Sequence, residues 1–364
     1  MNMRLAGSIA LFFIIGSILI AGCAQPAVEV KTTTTPQVTT PAVHAPMTSS
    51  IPTASQTTVT ITPAATSPSL STCNGRYIDV HSHIHPDGMD YPRLISAMDR
   101  EGIDMMVIME PPGAVWLQSL TPAKYGIPDA GLTYPSRFIT LCSGDAGKML
   151  YTAAKTGKYT PDEEMQYKAL LADAARAGTC RGFGEIGVRH FPPDGMPQTY
   201  DITVPADHPW MFDMSDVAAE YGIPVDIHME ATSGTVAGLE RLLAHNRNAT
   251  IIWDHAGWGN TPENSPTLMR RLLSENSNLF SSIKFRKDMA GTGFLATDGT
   301  INPAWLAVVE EFPDRFMMGS DIKPGIWETE FRQVKDHVSI LSQLPPDIQN
   351  TVARENAIRI FRIT

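Results

Sequence analysis

Cysteine, positive charge and histidine are all scarce in this chain of 364 residues, and each shortage closes off a class of protein. There are four cysteines. With Cys23 set aside at the end of the N-terminal apolar segment, Cys73, Cys142 and Cys180 remain, an odd number that permits at most one disulfide and excludes a disulfide-stapled scaffold. No CxxC-type spacing occurs, so a cysteine-held metal is not expected. Cys142 falls at the C-terminal end of one predicted strand and Cys180 at the start of the next. The pair is therefore expected at opposite ends of a parallel sheet, and unbonded. Basic residues number 28 against 38 acidic ones, a formal charge of −10. Without Arg4, Lys31 and Glu29 of the N-terminal region, 26 basic and 37 acidic residues leave −11 on the remainder. Such a surface repels phosphate backbones, so nucleic acid is not an expected partner.

The first residues, "MNMRLAGSIALFFIIGSILIAGC", place a basic residue, an apolar run and small residues ahead of Cys23, the grammar of a signal peptide. The apolar run is also long enough to serve as an uncleaved membrane anchor. From Ala24 to Thr72, Thr, Pro, Ala and Ser dominate, and only Glu29 and Lys31 are charged. That composition buries too little apolar surface to offset the entropy of ordering, which predicts a disordered stalk. The expected organisation is a leader over 1–22, a linker beginning with Cys23 over 23–73, and a globular part over 74–364.

In the globular part, eight short apolar runs alternate with amphipathic stretches: "YIDVHSH", "IDMMVIME", "RFITLCSG", "CRGFGEIGV", "IPVDIHME", "TIIWDHAG", "LFSSIKF" and "RFMMGSD". The clearest helix is "TPDEEMQYKALLADAARAG", with Thr160 as N-cap, Pro161 at the first turn, Glu163 completing a capping box and Gly178 as C-cap. Near-continuous apolar strands separated by helices predict a parallel sheet covered by helices. Eight such units predict a closed (β/α)8 TIM barrel. His81, His83, Glu185, His228, His255 and Asp321 all fall toward the C-terminal ends of runs, and only a barrel brings those ends to one mouth.

Histidine is used sparingly, yet "YIDVHSHIHP" holds His81, His83 and His85 at alternate positions. Alternate strand residues share a face, so His81 and His83 can reach one ion. Asp79 lies one step deeper on that face, placed to support a ligand. His85 precedes Pro86 and reads as a loop residue that contacts substrate or water, or has no role. His228 and His255 at equivalent strand ends point to metal ligation or proton transfer. Asp321 and Glu185 are carboxylates that need a cation, a hydrogen-bond network or solvent. For Glu185 the choice is a metal ligand or a buried ion pair with Arg189 or Lys284. Lys284 and Arg286, in "SSIKFRK", are candidates to face an anionic substrate group.

The HxH pair, the histidines of the fifth and sixth runs and the aspartate of the eighth resemble the amidohydrolase superfamily. "IDVHSHIHP", "DHAGWG", "GSDIKP" and the closing "ENAIRIF" are similar to its amidohydrolase-related branch, and the resemblance spans residues 77 to 361. It implies that His81, His83, His228 and Asp321 hold a divalent metal, usually zinc, and that His255 binds a second metal or transfers a proton. In the fourth run, "GEIG" is similar to the type in which a glutamate, here Glu185, bridges two metals. "LIAGC" resembles a lipobox, which implies that Cys23 is lipidated and the protein is tethered at the cell surface or in the periplasm.

The expected chemistry is hydrolysis of a small-molecule ester, lactone or amide by metal-activated water, with Asp321 accepting its proton. Two alternatives differ in kind. A non-oxidative decarboxylase would use one metal and leave Glu185 outside the ligand set, and a surface-displayed binding lipoprotein would have no turnover. Oligomeric state is not legible.

Overall fold

The computed structural model describes residues 76–83, 90–112, 127–178, 180–192, 201–255, 261–284, 293–322 and 337–363. All of these lie within one compact unit, Ala64–Thr364. Cys23, the Thr/Pro-rich segment with Cys73, and the site candidates His85 and Arg286 fall outside the described residues.

Each of the eight apolar runs forms a strand. They are β1 (Tyr77–His83), β2 (Ile103–Met109), β3 (Phe138–Thr140), β4 (Phe183–His190), β6 (Pro224–Met229), β7 (Thr250–Trp253), β8 (Leu279–Lys284) and β9 (Phe316–Gly319). A two-residue strand, β5 (Ile202–Thr203), pairs antiparallel with the end of β4 and stands outside the repeat. Between the strands run α1 (Tyr91–Glu101), α2 (Ile127–Thr133), α3 (Gly144–Thr156), α4 (Pro161–Ala177), α5 (Pro209–Tyr221), α6 (Ser233–His245), α7 (Pro266–Glu275) and α8 (Pro303–Glu311). Two short helices, α9 (Pro346–Asn350) and α10 (Asn356–Ile360), close the chain. In α4 the expected box is present: Thr160 Oγ1 accepts from Glu163 N at 3.2 Å, and Glu163 Oε2 accepts from Thr160 N at 2.7 Å. Gly178 ends it at φ 69°, a left-handed backbone that favours glycine.

The parallel ladders run β1-β2-β3 and β4-β6-β7-β8-β9, and two narrow seams close them into a barrel. At one seam Ser82 bridges Ile322, with His83 N donating to Ile322 O at 2.8 Å and Asp321 N to His81 O at 2.8 Å. At the other, Cys142 bridges Phe183, with Cys142 N donating to Gly182 O at 3.0 Å.

The second seam overturns one expectation. Cys142 and Cys180 are joined by a disulfide, with Cα atoms 5.6 Å apart. Strands in a barrel are staggered along their hydrogen-bond direction. That shear brings the residues just after β3 level with those just before and at the start of β4. Reading the two cysteines as opposite ends of an unstaggered sheet was the error.

Buried apolar residues such as Leu94, Met98, Trp210, Leu239 and Trp305 on the helices and Ile108 on β2 pack the helices onto the strands. A separate cluster fills the barrel, joining Ile78, Val80, Val107, Leu141, Ile252 and Met317 to Ala357, Ile360 and Phe361 of the C-terminal segment. Each such aliphatic or aromatic side chain contributes roughly 1.5–3 kcal/mol by leaving water. The described residues contain no helix long and apolar enough to cross a membrane.

Candidate metal centre

Above that apolar plug, buried polar side chains from six strands converge. Their positions follow from strand ends and a few local devices. The register of β1 against β2 shifts between Asp79 and Ser82, so Asp79 does not extend the histidine row. Its carboxylate instead accepts from Ser320 N at 2.9 Å, from Ser320 Oγ and from His81 N at 3.2 Å. Burial pushes Asp79 up to about 6 in spite of those bonds. Asp79 thus ties β1 to the turn that carries Asp321, and it supports the site through the backbone. Gly319 allows the same close approach, because a Cβ there would stand 2.7 Å from His81 Cβ. His255 and Asp321, just beyond β7 and β9, both have left-handed backbones, at φ 62° and 52°. That conformation costs a non-glycine residue on the order of 1–2 kcal/mol, and it recurs where function holds a side chain in place.

The donor atoms form two groups around Glu185. In the first, His81 Nε2 and His83 Nε2 are 3.2 Å apart. Asp321 Oδ1 lies 2.9 Å from His83 Nε2 and 3.8 Å from His81 Nε2. Glu185 Oε2 lies 3.5 Å from His83 Nε2 and 3.9 Å from His81 Nε2. Two ligands of one tetrahedral zinc, each about 2.0–2.1 Å from it, stand roughly 3.3–3.4 Å apart, so these spacings are of the right size. In the second group, Glu185 Oε1 lies 2.9 Å from His228 Nδ1 and 3.7 Å from His255 Nε2. His255 Nε2 is also 3.8 Å from Asp321 Oδ2. His228 therefore sits with Glu185 and His255, across the carboxylate from the His81–His83 pair.

The alternative partners of Glu185 are engaged elsewhere. Arg189 binds Asp201, Ile202 O at 2.8 Å and Thr203 Oγ1 at 2.9 Å. Lys284 pairs with Asp321 Oδ2.

Charge is out of balance in this cluster. His81 and His228 hold Glu185 down at about 2 against the effect of burial. Lys284 holds Asp321 well below the usual carboxylate range, again against burial. Asp254 is lowered too, chiefly by His81, while burial and the neighbouring Asp254 push Asp226 well up. Among the described residues three ionised carboxylates thus meet one lysine, and they draw protons onto imidazoles. Burial opposes charge on His81, yet Asp254 and Glu185 raise it to about 9. Against the same burial, Glu185 and Glu230 raise His228 to about 10. Burial, aided by the cationic neighbours His81 and Lys284, takes His255 down to about 3, so its ring is neutral. Glu185 Oε2 is buried with no hydrogen-bond partner. An orphaned carboxylate oxygen, surplus negative charge and nitrogen donors at ligand spacing fit a divalent cation.

The sequence model of the amidohydrolase family matches residues 78–363. The chain belongs to the amidohydrolase family. No curated protein matches it. Among solved structures it is similar to a 2,6-dihydroxybenzoate decarboxylase complexed with 2,6-dihydroxybenzoate, with a TM-score of 0.51 and 13% identity over 79% of this chain and 99% of that one. It is also similar to a probable 2-pyrone-4,6-dicarboxylic acid hydrolase from Acinetobacter baumannii, with a TM-score of 0.48 and 14% identity over 79% and 100%. A 4-oxalomesaconate hydratase from Rhodopseudomonas palustris gives a TM-score of 0.44 and 14% identity over 79% and 95%. At these identities the likeness speaks to the fold alone.

Several residues of the centre were not singled out from the sequence. Asp254 Oδ2 lies 3.0 Å from His81 Nδ1, on the ring edge facing away from the donor group. Ser282 Oγ donates to Asp254 Oδ1 at 2.5 Å. Glu230 Oε1 lies 3.4 Å from His228 Nε2, and the His190 ring is 4.9 Å from that of His228. A signal for Glu230 was present: Asp226, His228 and Glu230 stand at alternate positions in "DIHME", the same period that flagged His81 and His83. Asp254, next in sequence to His255, has no periodicity to mark it.

Proposed function

We propose that this amidohydrolase is a zinc-dependent hydrolase of a small ester, lactone or amide. The observation that carries the reading is Glu185, whose two oxygens face two separate donor groups. Glu185 would help to hold one cation with His81, His83 and Asp321, and a second with His228 and His255. A bound divalent cation would supply Lewis acidity and lower the pKa of water from 15.7 toward about 7. The residues of the chain do the rest. Asp321 is ionised, 2.9 Å from His83 and anchored by Lys284, so it is placed to accept the proton of an attacking water and return it to the leaving group. His255 is held neutral, which leaves the lone pair of Nε2 available as a donor toward a cation. The decarboxylase alternative requires Glu185 outside the ligand set, and the inward placement of Glu185 weighs against it.

The remaining proposals concern location and partners. The Cys142–Cys180 bond favours an oxidising compartment, which supports a protein tethered outside the cytoplasm through a lipidated Cys23. Its partners are then a small molecule and a membrane, with nucleic acid disfavoured by the −11 charge. Metal analysis of the purified chain, with ester, lactone, amide and carboxylate panels before and after chelation, tests the activity. Turnover of an ester, lactone or amide that is lost on chelation and restored by zinc is expected, with Asp321→Ala folded and inactive. Carbon dioxide release, or near-wild-type activity in Asp321→Ala, would sink the assignment.

A further inference from the structure

A histidine can offer either ring nitrogen to a metal, and His228 has a carboxylate at each. Nδ1 faces Glu185 at 2.9 Å, and Nε2 faces Glu230 at 3.4 Å. To donate a lone pair through Nδ1, the neutral ring must carry its proton on Nε2. A carboxylate oxygen at Nε2 accepts that proton, so its placement there selects this tautomer.

Glu230 is built to stay where it is. It is 3% exposed. Its second oxygen accepts from Phe191 N at 3.1 Å, its own N–H donates to Arg189 O at 3.0 Å, and its carbonyl accepts from Thr235 Oγ1 at 3.0 Å. Asp254 Oδ2 stands 3.0 Å from Nδ1 of His81, leaving Nε2 of that ring toward the centre. We infer that Glu230 is a positioning residue: it fixes the tautomer of His228 and presents Nδ1 of that ring to the cation held with Glu185 and His255. This rests on the metal reading above.

The Phe191 N–H makes the inference testable, because a backbone donor cannot change sign. In Glu230→Gln the amide oxygen must stay on Phe191 N–H, which turns the amide NH2 toward His228 Nε2. A donor there drives the ring proton onto Nδ1, where it points at Glu185 and blocks ligation. Glu230→Ala removes the brace without placing a donor at Nε2. A packing role predicts the reverse order, with the near-isosteric Gln milder than Ala.

The experiment titrates zinc and cobalt(II) into the full chain and both variants. It reads metal per chain, cobalt absorbance and the metal-induced rise in melting temperature. Glu230→Gln is expected to weaken one equivalent by about 10–100-fold, at least as much as Glu230→Ala. Wild-type uptake by Glu230→Gln, or a smaller loss than in Glu230→Ala, overturns the inference. If Glu230→Gln does not fold, nitrogen-15 histidine spectra of the zinc-loaded wild type decide it: a proton on His228 Nε2 is expected, and one on Nδ1 overturns the assignment. A wild-type chain that takes up no metal sinks the function reading. Uptake by the wild type with no loss in Glu230→Gln sinks this inference alone.

Discussion

Reducing the Cys142–Cys180 bond should lower stability by a calculable amount. The bond closes a loop with a sequence separation of 38 residues. The chain-entropy relation assigns such a loop about 4 kcal/mol at 25 °C, an amount that strain or residual unfolded structure can reduce. In a domain of this size each kcal/mol moves the melting temperature by roughly 1.6 °C, so a fall of about 6 °C is expected. The seam sharpens the prediction, because β3 and β4 meet there through a single bridge, Cys142 to Phe183. Local opening should therefore rise most at the Gly184 amide, which donates to Cys142 O at 3.3 Å. Calorimetry with and without reductant, beside a Cys142→Ser/Cys180→Ser double variant, measures the first effect, and hydrogen exchange measures the second. Melting within about 2 °C in both redox states would refute the reasoning. So would alkylation of both thiols in unreduced, denatured protein.

Other substitutions probe the packing behind the centre. Gly319→Ala forces a Cβ to within 2.7 Å of His81 Cβ, so it should cost about 1–3 kcal/mol and weaken zinc binding; wild-type metal affinity would contradict the close-approach role. Tyr151→Phe removes the hydroxyl that accepts from Gly187 N at 2.6 Å. Leaving that amide unpaired should cost about 1–3 kcal/mol by urea denaturation, and a loss under about 0.5 would show that another acceptor takes over. Metal uptake near pH 7 should release protons, since His81 and His228 are raised to about 9 and 10 and must shed them to ligate. Affinity should accordingly climb as pH rises toward that window, and calorimetry in buffers of different ionisation enthalpy reads the protons directly. An enthalpy independent of buffer would remove the basis for this.

The eight strands, the helix caps of α4 and the polar residues at strand ends were legible in the sequence, because all three follow from local rules: period, capping chemistry and burial cost. His81 and His83 are brought together as the period-two rule required. The disulfide was misread because barrel shear is a property of closure and leaves no mark on the residues near Cys142 and Cys180. Asp79 was misplaced for a related reason, since a register shift in β1 interrupts the alternation that an ideal strand would keep.

The residue types of the centre, and their order along the chain, were set by the sequence alone. Which nitrogen of His228 faces inward, which oxygen of Glu185 serves which group, and that Lys284 anchors Asp321 were decided by the tertiary structure. Those choices depend on distances of a few ångströms between strands far apart in the chain, and no local pattern encodes them.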